Sequence, residues 1–169
     1  KRLGETLCYI YSNYFNVYTN IIRPFNIYGP GMGQNDYRIF PNFVSNILQN
    51  KPISIYGSGN QTRTYCYITD AIEGFLRVIK FGKFGEVYNI GNNKPEVSVE
   101  DIYKVFKKIN DKKIIAKYVK HPKSYPMDEP QRRCPDIEKS KKHLGYKPKI
   151  GLETGLNKYI DWAKKNYKF

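Results

Sequence analysis

The sequence predicts an α/β fold, and three observations carry that reading. Short β-branched runs alternate with stretches whose apolar residues recur every three or four positions, the pattern of strands exchanging with helices. Clusters of Gly and Pro mark the changeovers. Hydrophobic residues make up 40% of the 169 and aromatic residues 15%, including 16 Tyr, enough for a packed core and too much for a disordered chain.

The elements follow in order. Residues 1–15 place Leu3, Leu7, Ile10 and Tyr14 at helical spacing. The run from Val17 to Phe25 is β-branched and predicts a buried strand ending at Arg23-Pro24, since the residue before a proline disfavours helix. Residues 25–36 are loop-like in their Gly and Pro content. A helix over about Arg38–Gln49 and a short strand over 53–57 come next, and the turn 57–61 leads into a strand over 63–68. Thr69 or Asp70 is then expected to cap the following helix by accepting its free N–H groups. Residues 86–92 predict a further strand. Ser98 with Asp101 forms a capping box ahead of a helix to about Asn110. A strand over 114–119, a proline-rich irregular stretch over 121–135 and helices over about 136–144, closed by Gly145, and 152–166 complete the chain. The last helix carries Leu152, Leu156, Tyr159, Ile160 and Ala163 on one face.

Charge and chemistry narrow the function. The formal net charge is +14. Residues 1–100 hold ten Lys and Arg against seven Asp and Glu, net +3, whereas 101–169 hold nineteen against eight, net +11. Only 7 of the 29 basic residues are Arg, and the Lys are scattered, so the distribution fits a solvated Lys-rich surface and a small phosphate-bearing ligand, with no nucleic acid as partner. No run of about 20 apolar residues is present to span a bilayer. Cys8, Cys66 and Cys134 are odd in number and widely spaced, which argues against a disulfide scaffold and fits a reducing, cytoplasmic setting. His121 and His143 have no Cys or carboxylate at ligand spacing, so no metal site is expected. The Gly-rich runs 29–33 and 57–60 do not join a strand to a helix as a dinucleotide loop does. Arg63, leaving a Gly-rich turn, and Arg132-Arg133, in the irregular stretch, are the anion candidates. Each either grips diphosphate oxygens through its planar fork or pairs a surface carboxylate.

The motifs, taken in order, resemble a known family. Lys1-Arg2-Leu3-Gly4-Glu5, Arg23-Pro24-Phe25-Asn26-Ile27-Tyr28-Gly29-Pro30, Tyr56-Gly57-Ser58-Gly59, Gln61-Thr62-Arg63 and Tyr67-Ile68 with Asp70 resemble the extended short-chain dehydrogenase/reductases. Within them the chain is similar to the nucleotide-sugar epimerase, dehydratase and decarboxylase group, most of all to UDP-glucuronate decarboxylases and dTDP-glucose 4,6-dehydratases. Tyr88-Asn89-Ile90-Gly91, Arg132-Arg133-Cys134-Pro135-Asp136, Leu144-Gly145-Tyr146 and Pro148 continue the likeness to the end of the chain.

The resemblance implies a truncated Rossmann-type parallel sheet plus a smaller α/β substrate domain. Residues 1–35 would be the remaining end of the NAD-binding domain, 36–62 a substrate-domain segment, 63–85 a Rossmann strand and helix, and 86–169 the nucleotide-sugar domain. Lys1 matches the Lys of the family's Tyr-x-x-x-Lys motif, which implies a catalytic and NAD-binding role. The Tyr would fall four positions earlier, and the Gly-rich dinucleotide loop is also not in this sequence, so the chain is expected to be the back half of an enzyme and inactive by itself. Pro24, Ile27 and Arg38 match cofactor-side positions. Tyr11, Asn26, Asn42, Phe43, Tyr56, Gln61, Arg63, Arg132 and Arg133 match substrate positions, with core packing as the other reading of Phe43 and Tyr56. The implied cofactor is NAD, the implied ligand a nucleoside-diphosphate sugar, and the implied assembly a homodimer. Gly31 stands where the decarboxylases carry Arg, a departure that counts against UDP-glucuronate as the sugar nucleotide.

Overall fold

The computed structural model describes residues 1–110, 113–120 and 130–169. It is an α/β structure of short, mostly parallel pairings with helices packed around them. Two strands, β1 (Ile21–Pro24) and β6 (Val87–Ile90), pair in parallel. Successive side chains of β1 face opposite sides. Arg23 reaches one way to Glu5 of helix α1 (Arg2–Phe15), while Ile22 turns the other way into the core. That core is closed by α3 (Ile68–Phe81) and α5 (Glu138–Leu144), through Ala71, Val78, Ile137 and Leu144. Helices packed on a parallel pair are the expected solution, because both faces of a parallel sheet need cover.

The second core lies among α2 (Ile39–Leu48), β3 (Ile53–Tyr56), α4 (Val99–Ile109) and α6 (Leu152–Asn166). Phe40, Phe43, Val44 and Ile47 follow the i, i+3, i+4, i+7 rule on α2, and Leu156, Tyr159, Ile160 and Ala163 form the matching stripe on α6. β3 pairs in parallel with β8 (Ala116–Val119), with Ile53 and Ile55 turned inward. The two cores meet where β2 (Ile27–Tyr28) pairs with β5 (Cys66–Tyr67). A small sheet, ordered β7 (Val97–Ser98), β4 (Thr62–Arg63), β9 (Arg132–Arg133), completes the fold.

Several sequence expectations shift here. The strand expected over 63–68 breaks into β4 and β5, which join different sheets. Neither Thr69 nor Asp70 caps α3, which begins at Ile68. Asp70 is instead buried, and its carboxylate accepts the backbone N–H groups of Lys149 and Ile150 at 2.9 and 2.8 Å. The strand expected over 86–92 is β6, and its residues 87–90 pair with β1 in the first sheet. The capping box of Ser98 and Asp101 is present. Gly145 ends α5 in the left-handed region, at φ 62°, as the expected stop requires. His121 and most of the irregular stretch 121–135 lie outside the described residues.

The stripe expected on α1 is helical but uncovered. Leu3 is 71% and Tyr14 78% exposed, and the buried residue of α1 is Ser12. On α3, Ile72, Leu76 and Ile79 likewise repeat at i, i+4, i+7 on the outer face, and all three are exposed. Among the described residues β1 pairs only with β6, so its other edge carries no strand partner.

Candidate functional site

In open α/β sheets, ligands bind beyond the carboxyl ends of the strands, where loops diverge. Here β2 and β5 run in parallel, and the residues that follow them frame a cleft of about 320 Å3. Its walls include Ile27, Tyr28, Pro30, Met32, Arg38 and Ile68. Gly29 lets the two segments meet: its φ is 143°, and a Cβ there would lie 2.7 Å from Ile68 Cγ2. The charge in the lining is Arg38, whose guanidinium grips Asp36 with Nε 2.8 Å from Oδ2, while its own backbone N–H donates to Oδ1 at 2.9 Å. The bond from the Arg38 guanidinium holds the Asp36 carboxyl below the usual carboxylate range.

Asn26 joins the first sheet to this cleft. It occupies the left-handed region, φ 43°, a conformation Asn tolerates better than most residues. Its Nδ2 donates to the Thr64 carbonyl at 2.8 Å, and its own carbonyl accepts from Cys66 N–H at 3.1 Å. One residue thus links the exit of β1 to the segment joining β4 and β5.

The arginines come together in the small sheet. Parallel pairing sets Thr62 beside Arg132 and Arg63 beside Arg133. Arg63 is buried, with Nη1 donating to the carbonyls of Thr62 and Gln131 at 2.8 and 3.1 Å. Arg132 is exposed and forms a fork on Glu96, Nε to Oε1 at 2.9 Å and Nη2 to Oε2 at 2.8 Å. The Thr62 hydroxyl donates to the same carboxylate at 2.5 Å. That bond and the Arg132 fork hold the Glu96 carboxyl below its ordinary range. Of the two readings the sequence left open for these arginines, pairing with a carboxylate is seen at Arg132.

The remaining candidates divide. Gln61 immediately precedes β4, partly buried beside the arginine cluster. Pro24 ends β1, exposed, two residues before Asn26. Lys1 is exposed at the start of α1, and Tyr11 is half exposed with its ring 5.3 Å from that of Phe15. Asn42 is partly buried, with its carbonyl and Oδ1 accepting from Asn46 Nδ2. Tyr56 ends β3 at the surface. Phe43 is 2% exposed and packs its ring edge-on against Phe106 in the core, the packing reading that the sequence left open beside ligand contact. Glu96 and Asp36 were missed by the sequence reading. Their roles follow from which arginine each meets in space, and for Glu96 no local spacing announces it.

Comparison with known proteins agrees with the α/β fold. The NAD dependent epimerase/dehydratase family profile matches residues 1–91. UDP-glucuronic acid decarboxylase 1 of Xenopus tropicalis is 36% identical over 165 residues, covering 98% of this chain and 38% of that protein. UDP-glucuronic acid decarboxylase 4 of Arabidopsis thaliana is 38% identical over 156 residues, covering 92% and 34%. The crystal structure of UDP-glucuronic acid 4-epimerase from Bacillus cereus, in complex with UDP-glucuronic acid and NAD, superposes with a TM-score of 0.87 at 35% identity, covering 99% of this chain and 52% of that one. The chain therefore spans between a third and about half of the length of the proteins it matches. With the family profile matching more than half of its length, the chain belongs to the NAD dependent epimerase/dehydratase family.

Proposed function

We propose that this chain forms the nucleotide-sugar-binding part of an NAD-dependent enzyme that acts on a nucleoside-diphosphate sugar, as a dehydratase or decarboxylase, with 4-epimerisation as the alternative outcome. The observation that carries this is the pairing of β4 with β9, which sets Gln61-Thr62-Arg63 against Arg132-Arg133 across a long stretch of sequence. A planar guanidinium offers two parallel charge-assisted bonds to phosphate oxygens, which suits a diphosphate better than scattered lysines do. Asn26 ties this cluster to the cleft, so a diphosphate held by the arginines would direct its sugar toward the cleft.

The residues present fit one end of NAD. The cleft's apolar walls, Ile27, Pro30, Met32 and Ile68, suit a flat ring, and the glycines keep the backbone low enough for close approach. NAD, when bound, supplies a hydride acceptor for the sugar carbon being oxidised. Around it this chain's own groups would act as follows. Lys1 would hold the nicotinamide-side ribose, Arg38 would stand at the cleft wall, and Pro24 to Ile27 would present backbone beside the ring. Tyr56 and Asn42 would flank the base, and Tyr11 would reach the sugar. The uncovered edge of β1 and the apolar stripes of α1 and α3 support reading the chain as one part of a larger doubly wound domain. Leu3, Leu7 and Tyr14 would supply the face for homodimer formation, which light scattering of the chain would detect as a concentration-dependent rise in mass.

Titration of the chain with UDP-glucose, followed by backbone amide shifts, tests the proposal. Shifts are expected at residues 26–38, 61–64 and 132–133. Arg133→Ala should weaken binding by about tenfold, the loss of one charge-assisted contact worth ~1.5 kcal/mol. Absence of binding, or tighter and strongly salt-dependent binding of a short DNA duplex with Arg133→Ala of no consequence, would overturn it.

A further inference from the structure

Helix α6 holds the cleft from both of its ends. Near its start the Leu152 carbonyl accepts the hydroxyl of Tyr28, part of the cleft wall. Beyond its end, Tyr167 and Lys168 reach the loop that follows Tyr28. The Tyr167 hydroxyl donates to the Met32 carbonyl at 3.1 Å. Lys168 and Gln34 bond reciprocally: the Lys168 N–H donates to Gln34 Oε1, and Gln34 Nε2 donates to the Lys168 carbonyl, both at 2.7 Å. These anchors stand on either side of Gly33, and their partners lie 135 and 134 positions away in sequence. The tail itself is well seated. The Tyr167 N–H donates to the Ala163 carbonyl at 2.8 Å, and its ring lies edge-on to Trp162 with centroids 5.8 Å apart. With its own proton given to Met32, the Tyr167 hydroxyl accepts from that of the fully buried Tyr159.

We propose, resting on the nucleotide-sugar reading above, that Gln34 and Tyr167 are positioning residues for the cleft: through them the segment after α6 straps the loop over residues 29–36 into the shape that receives the sugar. The loop needs such a strap. Gly29, Gly31 and Gly33 fall within five residues, and a glycine-rich backbone has the most freedom to lose on ordering. Its own turns contribute a 3.4 Å bond from the Met32 N–H to the Gly29 carbonyl and a 3.1 Å bond from the Asp36 N–H to the Gly33 carbonyl. Ser45 Oγ, from α2, donates to the Gln34 carbonyl at 2.6 Å. Gly31, Met32, Gly33 and Arg38 all line the cleft, so the wall is in place only while the loop keeps this shape. A site competent for a fraction of the time loses apparent affinity by that fraction. Arg63 and Arg133 stand on β4 and β9, which none of the strap's bonds reaches.

Amide hydrogen exchange, with calorimetric titration by UDP and by UDP-glucose, tests this in native, Gln34→Ala and Tyr167→Phe forms. Tyr167→Phe keeps the ring and removes only the hydroxyl. The Asp36 amide is the reporter, because it bonds the Gly33 carbonyl rather than either altered side chain. In both variants it should exchange about fivefold faster, the effect of losing one neutral hydrogen bond, while the Ile55 amide in β3 keeps its native rate. Affinity for UDP-glucose should fall by about the same factor, and affinity for UDP, which leaves the cleft empty, by less than about twofold. An unchanged Asp36 rate refutes the strap. Faster exchange with an unchanged ratio of the two affinities refutes its role in shaping the cleft. A parallel fall of both affinities, with faster exchange at Ile55, reduces the two residues to general packing and refutes it equally. If the native chain binds neither ligand, the nucleotide-sugar reading fails by itself, and the Asp36 rate still decides whether the strap holds the loop.

Discussion

Gly155→Ala should destabilise the fold, although it lies inside α6, where the same change ordinarily helps. Replacing a mid-helix glycine by alanine gains about 1 kcal/mol of helix propensity. Here a Cβ at 155 would lie 2.1 Å from Tyr28 Oη, 3.0 Å from Tyr28 Cζ and 3.0 Å from Tyr67 Cδ2. Tyr28 cannot easily retreat. It is 2% exposed, its ring centroid is 4.5 Å from Phe40 and 5.6 Å from Tyr67, and its hydroxyl donates to the Leu152 carbonyl at 3.2 Å. Overpacking of this kind costs about 1–3 kcal/mol, and losing the hydroxyl bond adds about 1. After subtracting the helix gain, the net destabilisation is about 2 kcal/mol, or roughly 6 °C in Tm for a chain of this size. Urea unfolding followed by circular dichroism measures it. Tyr28→Phe alone should cost about 1 kcal/mol, but in the Gly155→Ala background it removes the clashing atom. The double variant should therefore be about 1 kcal/mol more stable than the sum of the singles predicts. If Gly155→Ala raises the urea midpoint, or the two changes simply add, the close approach of α6 to β2 is wrong. That contact also braces the cleft, because Tyr28 forms part of its wall.

Three further outcomes are expected. Asp70→Ala should cost about 1–3 kcal/mol in urea unfolding, because the N–H groups of Lys149 and Ile150 lose their buried acceptor; Asp70→Asn, which keeps one oxygen, should cost clearly less. Asp36 and Asp101 have depressed carboxyl pKa values, the first through the Arg38 guanidinium and the second through the Ser98 hydroxyl. Their stabilisation is complete above the unfolded value of about 3.9 and is lost as pH falls through the lower folded values. The urea midpoint should then decline below about pH 4, less steeply in Ser98→Ala, which should also cost ~1 kcal/mol at neutral pH as a lost cap. Cys66 is fully buried and burial pushes its thiol up to about 11, whereas Cys8 and Cys134 are partly exposed. A thiol reagent at pH 8 should label Cys8 and Cys134 in the native chain and reach Cys66 only on unfolding; rapid labelling of Cys66 would contradict the packing around it.

What the sequence determined by itself was whatever is encoded within a few residues. The capping box of Ser98, the left-handed stop at Gly145 and the buried stripe of α6 depend on neighbours one or two turns away, and all three are present. The ordered motifs were enough to identify the family, since each is a short local string. Tertiary structure decided the rest. Asp70 sits where a cap would stand, yet its buried carboxylate accepts N–H groups from residues nearly eighty positions later, partners that no local pattern announces. Phe43 lies on the apolar period of α2, and its partner in the core, Phe106, comes from a helix far along the chain. The arginine cluster could be named from sequence as separate residues. Their placement in one small sheet depends on β4 and β9 pairing across several intervening strands and helices, and Glu96 meets Arg132 from just before a third strand. Hydrogen-bond pairing between distant strands leaves no periodic trace in either segment, so which charges share a site is settled only when the chain has folded.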